Sequence, residues 1–91
     1  MAYHVAISSR FKKDFKRCVK RGKNMRLITD AMDALEATGT LPTQYHPHKL
    51  SGNLQGLWEC HIQPDWLMVW QQDDNQLTLL FLQTGSHSDI F

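Results

Sequence analysis

Three apolar runs, "LWECHI", "WLMVW" and "LTLLFLQT", close the chain, separated only by "QPD" and "QQDDNQ". Connections this short cannot hold a crossover helix, so successive runs must pair as antiparallel hairpins. The proline, aspartates and asparagine between them supply turn residues. Whatever precedes this meander has to cover one of its faces.

The preceding residues are suited to that task. "YHVAIS" alternates at period two and reads as a short first strand. Ser9 can cap a first helix, with Phe11, Phe15, Cys18 and Val19 on one stripe and Gly22 ending it. Asn24 can cap a second helix with a stripe of Leu27, Ile28, Ala31, Met32 and Leu35, stopped near Gly39. The short link makes the two an antiparallel hairpin. "LPTQYHPHKLSGNLQG" follows as an extended connection. The expected fold is α+β, one domain over residues 1–91, with an N-terminal strand and a helical hairpin packed on a mostly antiparallel sheet.

A formal net charge of +1 conceals a strong segregation. Nine of the ten basic residues lie between Arg10 and Arg26, where Asp14 is the lone acid; that segment carries about +8 and the remainder about −7. A surface of this kind, with Lys12, Lys13, Lys16, Arg17, Lys20, Arg21, Lys23 and Arg26, suits RNA, a ribosome or an acidic protein partner. The opening residues carry no long apolar run, and the two cysteines imply no disulfide framework. A reducing cytoplasmic setting without signal peptide or membrane span is expected.

The chemistry-bearing residues sit at element boundaries. In "ECHIQPDW", strand alternation puts Glu59 and His61 on one face and Cys60 on the other, so Cys60 and His61 are no thiol–imidazole pair. Cys60 and Cys18 then read as small buried hydrophobes. Asp65 lies in the turn beyond, His48 leads into the same strand, and His87 follows the last one. Three readings fit such histidines. One takes them as hydrogen-bonded structural or ordinary loop residues. A metal reading would join His46 and His48 to His61 or Glu59, without a His-x-x-x-His helix pair or a Cys-x-x-Cys to support it. An acid–base reading fits RNA cleavage, where the substrate's 2′-hydroxyl is the nucleophile and no cofactor is needed. A terminal aromatic, Phe91, would then offer a stacking surface for a base.

"HKLSGNLQGLWECHIQPDWLMVW" and "LQTGSHSDIF" together resemble the YafQ branch of the RelE/ParE bacterial toxins, along nearly the whole chain. The set His-x-L-x-G, acid-x-His-x-x-Pro-Asp-Trp and Thr-Gly-Ser-His carries the resemblance. It implies a toxin of a type II toxin–antitoxin system that cuts mRNA in the ribosomal A site without metal, through the 2′-hydroxyl, leaving a cyclic phosphate. It implies an active site of His48, Glu59, His61, Asp65, His87 and Phe91. His87 would be the general acid, Asp65 with His61 or His48 would serve the base side, and Glu59 would orient His61. Its partners would be an acidic cognate antitoxin, the ribosome with its mRNA, and operator DNA only through the antitoxin. Relatives usually carry arginine where this chain has Gln83, so a full positive charge at the phosphate is missing, and Lys49 or protonated histidines would compensate. Two other readings keep the fold: a catalytically weak domain acting through antitoxin binding, and a ParE-like toxin aimed at gyrase.

Overall fold

The computed structural model describes residues 2–91. Strand β1 (His4–Ile7) leads into helices α1 (Ser9–Lys20) and α2 (Arg26–Thr38). A two-residue strand, β2 (His48–Lys49), precedes the long strands β3 (Trp58–Gln63), β4 (Trp66–Asp73) and β5 (Thr78–Gly85), and a single helical turn, α3 (His87–Ile90), closes the chain. The sheet order is β1-β5-β4-β3-β2. The β3–β4–β5 meander forms as its short turns require, β2 adds antiparallel to β3, and the β1–β5 pair is parallel. The α+β expectation holds.

The helices cover one face of this sheet. Phe11 and Cys18 from α1 and Ile28, Ala31 and Leu35 from α2 pack with Cys60, Trp66, Met68, Trp70, Leu79 and Phe81 into one core. Burial pushes the Cys60 thiol up to about 12, so it remains a protonated, inert side chain. Several local expectations shift. The cap of α1 is Ser8, whose Oγ accepts from the Phe11 N–H at 2.9 Å and donates to the Leu82 carbonyl at 2.9 Å. Val19 is half exposed, and the buried stripe takes in Asp14 instead. Asn24 stands one position ahead of the cap of α2, its Oδ1 accepting from the Arg26 N–H at 3.2 Å. Gly39 ends α2 in the left-handed conformation, where a Cβ would strike the Tyr3 ring. The extended connection holds two 3₁₀ turns, Thr43–Tyr45 and Gly52–Leu54, with β2 between them.

Two bulges aim the sheet's side chains. One lies between His61 and Gln63, just before the Pro64–Asp65 turn. The other changes the β4–β5 register: Trp70 pairs with Phe81 but Val69 with Gln83, leaving Leu82 as the extra residue. Without it Phe81 and Gln83 would share a face. With it Phe81 enters the helix-side core, Gln83 turns to the opposite face, and Thr84 becomes fully buried.

Candidate active site

The face away from the helices collects the ionisable residues in two cross-strand rows. His48, Glu59, Val69 and Gln83 form one row across β2, β3, β4 and β5; His61, Leu67 and Gly85 form the next. Leu67 and Val69 are fully buried beneath this face, which gives it an apolar floor. His61 is the centre of an imidazole cluster. Its ring centroid lies 6.3 Å from His48, 6.0 Å from His46 and 6.0 Å from His87. The three histidines expected to converge do so, and His46 joins them, held at a left-handed φ of 49°.

The carboxylates pair differently from the expectation. Glu59, only 5% exposed, meets His48 rather than His61: Nε2 of His48 is 3.1 Å from its Oε1. The other nitrogen of His48, Nδ1, is 2.8 Å from the His46 carbonyl. Both ring nitrogens thus face oxygen atoms, which fixes the plane of the ring. Asp65 serves His87. Its Oδ1 accepts from the His87 backbone N–H at 3.0 Å and lies 2.6 Å from Nδ1 of the same residue. Donation from Nδ1 fixes the tautomer and leaves Nε2 of His87 free to carry a proton. These contacts, the backbone N–H first and the ring second, hold the Asp65 carboxyl below the usual carboxylate range. Among the described residues none hydrogen-bonds the His61 ring.

Not every expected residue joins the cluster. Lys49 neighbours His48 in β2 but points to the opposite side, with Nζ 5.7 Å from the Trp58 ring centroid, so alternation removes it from the phosphate position. Lys23 is better placed: its ammonium lies 5.7 Å from the Trp66 ring centroid and helps lower the Asp65 carboxyl. Phe91 is exposed and shares a groove with Ser51, Asn53, Leu54 and Ile90, one helical turn beyond His87. A second groove of about 560 Å³ opens beside His61, lined by Gln44, His46, Ile62, Gln63 and Pro64. Gln83 lies on the active face with its Oε1 buried and unpaired, as is Oε2 of Glu59 in the same row. A buried acceptor without a donor costs about 1–3 kcal/mol, a cost this row carries at two positions.

The basic helix also departs from expectation. Arg17 and Arg21 do not project as free docking cations. Arg17 Nη2 lies 2.9 Å from the buried Asp14 carboxylate, and Arg21 grips Asp89 through both of its terminal nitrogens at 2.6 and 3.2 Å. Lys12, Lys13, Lys16, Lys20 and Arg26 remain solvent-facing. Asp89, absent from the expected set, caps α3: its carboxylate accepts from the Ser86 N–H at 2.8 Å while the Ser86 side chain accepts from the Asp89 N–H. The Ser-x-x-Asp spacing in "SHSD" was the available signal. Among the described residues no group of three or more His, Cys, Asp or Glu is arranged to hold a metal ion.

A small α+β domain that gathers imidazoles, carboxylate-held and free, on an open sheet face is chemically equipped for proton transfer. Comparison with known proteins gives its family. Residues 3–91 match the family of YafQ, bacterial toxins of type II toxin–antitoxin systems, and the chain belongs to that family. It is 33% identical over 88 residues to the mRNA interferase toxin YafQ of Escherichia coli (strain K12), covering 96% of this chain and 94% of that protein. Among solved structures, the E. coli YafQ mutant H87Q matches with a TM-score of 0.91 at 30% identity, over 98% of each chain. The E. coli DinJ–YafQ toxin–antitoxin complex gives 0.90 at 30% identity, over 100% of this chain and 99% of that one. A metal-bound toxin from Helicobacter pylori gives 0.88 at 35% identity, over the full length of both.

Proposed function

We propose that this chain is an mRNA interferase, a ribosome-dependent endoribonuclease of a type II toxin–antitoxin system, acting in the cytoplasm on mRNA in the ribosomal A site. The observation that carries the reading is the pair His61 and His87, with ring centroids 6.0 Å apart on an exposed face, one free and the other held by Asp65 at 2.6 Å. Two imidazoles so spaced can bracket one phosphodiester. His61 takes the proton of the 2′-hydroxyl as the 2′-oxygen bonds to phosphorus. His87 delivers a proton from Nε2 to the 5′-oxygen as the P–O5′ bond breaks, and the product is a 2′,3′-cyclic phosphate. No metal or cofactor enters this route.

His48, paired with Glu59, sets a hydrogen-bonded ring beside His61 in the same row as Gln83, where relatives usually carry arginine. Lys23 places a cation at the Asp65 end, where it can stabilise phosphate charge. Phe91 and the groove of Gln44, His46 and Gln63 lie on the flanks, suited to nucleobases on either side of the scissile bond. The solvent-facing lysines of α1 meet ribosomal RNA or an acidic cognate antitoxin, through which operator DNA is reached. A second reading rests on Gln83, whose neutral amide supplies no full charge: a catalytically weak copy acting mainly through antitoxin binding.

Primer extension on an mRNA in a defined translation reaction, with and without ribosomes, separates the two. New in-frame 5′ ends that require ribosomes, and that vanish with His87→Ala, support the interferase. Folded protein that binds ribosomes yet leaves the mRNA intact supports the silent copy.

A further inference from the structure

His87, the acid of the proposed reaction, sits on a helical turn of four residues at the end of the chain. A turn this short has no intrinsic stability and must be held from outside. Asp65 holds the ring, but Asp65 is itself exposed, in a two-residue turn. An exposed hydrogen-bonded pair contributes little by itself. The orientation of His87 therefore needs another anchor.

That anchor comes from α1. Arg21 grips the Asp89 carboxylate through two bonds, Arg17 approaches the same Oδ2 at 3.9 Å, and Arg10 Nη2 donates to the Asp89 carbonyl at 3.0 Å. On its other side the same carboxylate accepts the Ser86 N–H that begins the turn. Gly85 lets this assembly close on the sheet: a Cβ there would lie 2.7 Å from Asp89 Oδ2, 2.8 Å from Asp89 Cβ and 3.1 Å from Arg17 Nη2. Arg17 also reaches the buried Asp14, which accepts the Thr84 N–H at 3.1 Å at the end of β5. Three arginines of the basic helix thus converge on the turn that carries His87. Their charge is spent on directed bonds that hold that turn.

We infer that Asp89, clamped by Arg21, is a positioning residue that fixes the His87 ring against Asp65 and so aligns the general acid. The inference rests on the proposed role of His87. Asp89 touches neither substrate nor reacting atom; it acts by holding the turn. Loss of either partner lets α3 shift, and a displacement of about 1 Å at a reacting group costs roughly 100-fold in rate.

The test uses the full chain with Asp89→Ala and, at a half-exposed position that tolerates truncation, Arg21→Ala. The first readout is the Asp65 carboxyl, followed by carbon NMR through an acid titration. It faces the His87 backbone N–H and ring, with Lys23 nearby, and the two His87 bonds are what chiefly depress it. Release of the turn raises its midpoint toward the ordinary carboxylate value in both variants. The second is single-turnover mRNA cleavage on ribosomes, which falls roughly 100-fold while the half-saturating protein concentration stays unchanged. In a His87→Ala background, Asp89→Ala causes no further loss. A depressed Asp65 midpoint in a folded variant, or a further loss in the His87→Ala background, overturns the positioning role. If the wild-type protein cuts no mRNA, the functional proposal fails, while the Asp65 titration still decides whether Asp89 holds the turn.

Discussion

Replacing Asp14 by alanine tests what joins α1 to the sheet. Its carboxylate is 1% exposed and accepts from Arg10 Nε at 3.1 and 3.2 Å, from Arg17 Nη2 at 2.9 Å and from the Thr84 N–H at 3.1 Å. Truncation strands the Thr84 N–H, fully buried between α1 and β4, at a cost of about 1–3 kcal/mol. Arg10 and Arg17 keep 49% and 35% side-chain exposure and recover solvation, so each lost pair adds less than about 1 kcal/mol. The expected total is roughly 2–4 kcal/mol. For a domain of this size that lowers Tm by about 10–25 °C. Asp14→Asn, which keeps one oxygen for Thr84, falls between, and Arg10→Ala costs less than about 1 kcal/mol. Thermal and urea unfolding followed by tryptophan fluorescence measures all three, since Trp66 donates to Thr84 Oγ at 3.0 Å. A loss for Asp14→Ala no larger than that for Arg10→Ala would refute the assignment of the energy to the buried Thr84 amide.

Asp65→Asn keeps an acceptor for the His87 backbone but offers Nδ1 an amide of uncertain register; cleavage falls by roughly 10²–10⁴-fold, as in other sites where a carboxylate sets a histidine tautomer, with ribosome binding retained. Arg21, then the Ser86 N–H, hold the Asp89 carboxyl below its ordinary value of 3.8, so its contribution is full above about pH 4 and is lost as pH falls below that. Tm measured down to about pH 2 should therefore fall more steeply for the wild type than for Asp89→Asn. Cys60, fully buried with its thiol raised to about 12, reacts with a maleimide only after denaturation; labelling of the native protein followed by mass spectrometry checks it. Gln83→Arg adds a guanidinium to the cross-strand row that holds His48 and Glu59 and raises the single-turnover cleavage rate; an unchanged rate means that a charge at this position is not limiting.

The meander, the two helical stripes and the opposed faces of Cys60 and His61 were legible because each rests on a local period of 2 or 3.6 residues. So was the family, through motif spacing. What escaped the sequence was long-range pairing. Period two places Gln83 beside Phe81, and only the Leu82 bulge separates them. Asp14 looked like one acid diluted by a basic run, yet it is buried because Thr84, 70 residues on, needs an acceptor. Glu59 was assigned to His61 by adjacency on a strand, whereas the β2–β3 register sets it opposite His48. β2 is two residues long and lies in a segment rich in proline and glycine, too short to show a period. His46 entered only as a candidate metal ligand; its place beside His61 depends on a left-handed turn that the sequence does not announce.

The division of charge in the molecule follows from these pairings. A net excess of about eight positive charges on one segment suggests a single docking surface, but the arginines and lysines part ways. Arg10, Arg17 and Arg21 make directed bonds, several to oxygens that are wholly or mostly buried, where a planar guanidinium can satisfy two acceptors at once. Lys12, Lys13, Lys16 and Lys20, point charges on flexible stems, stay in water, where such charges can supply long-range attraction at little ordering cost. Charge reversal of Lys12, Lys13 and Lys16 therefore acts on association and its salt dependence. Truncation of the arginines acts instead on stability and on the His87 turn. If the proposed docking holds, the two sets of variants separate: the lysine changes leave Tm unchanged and the arginine changes lower it.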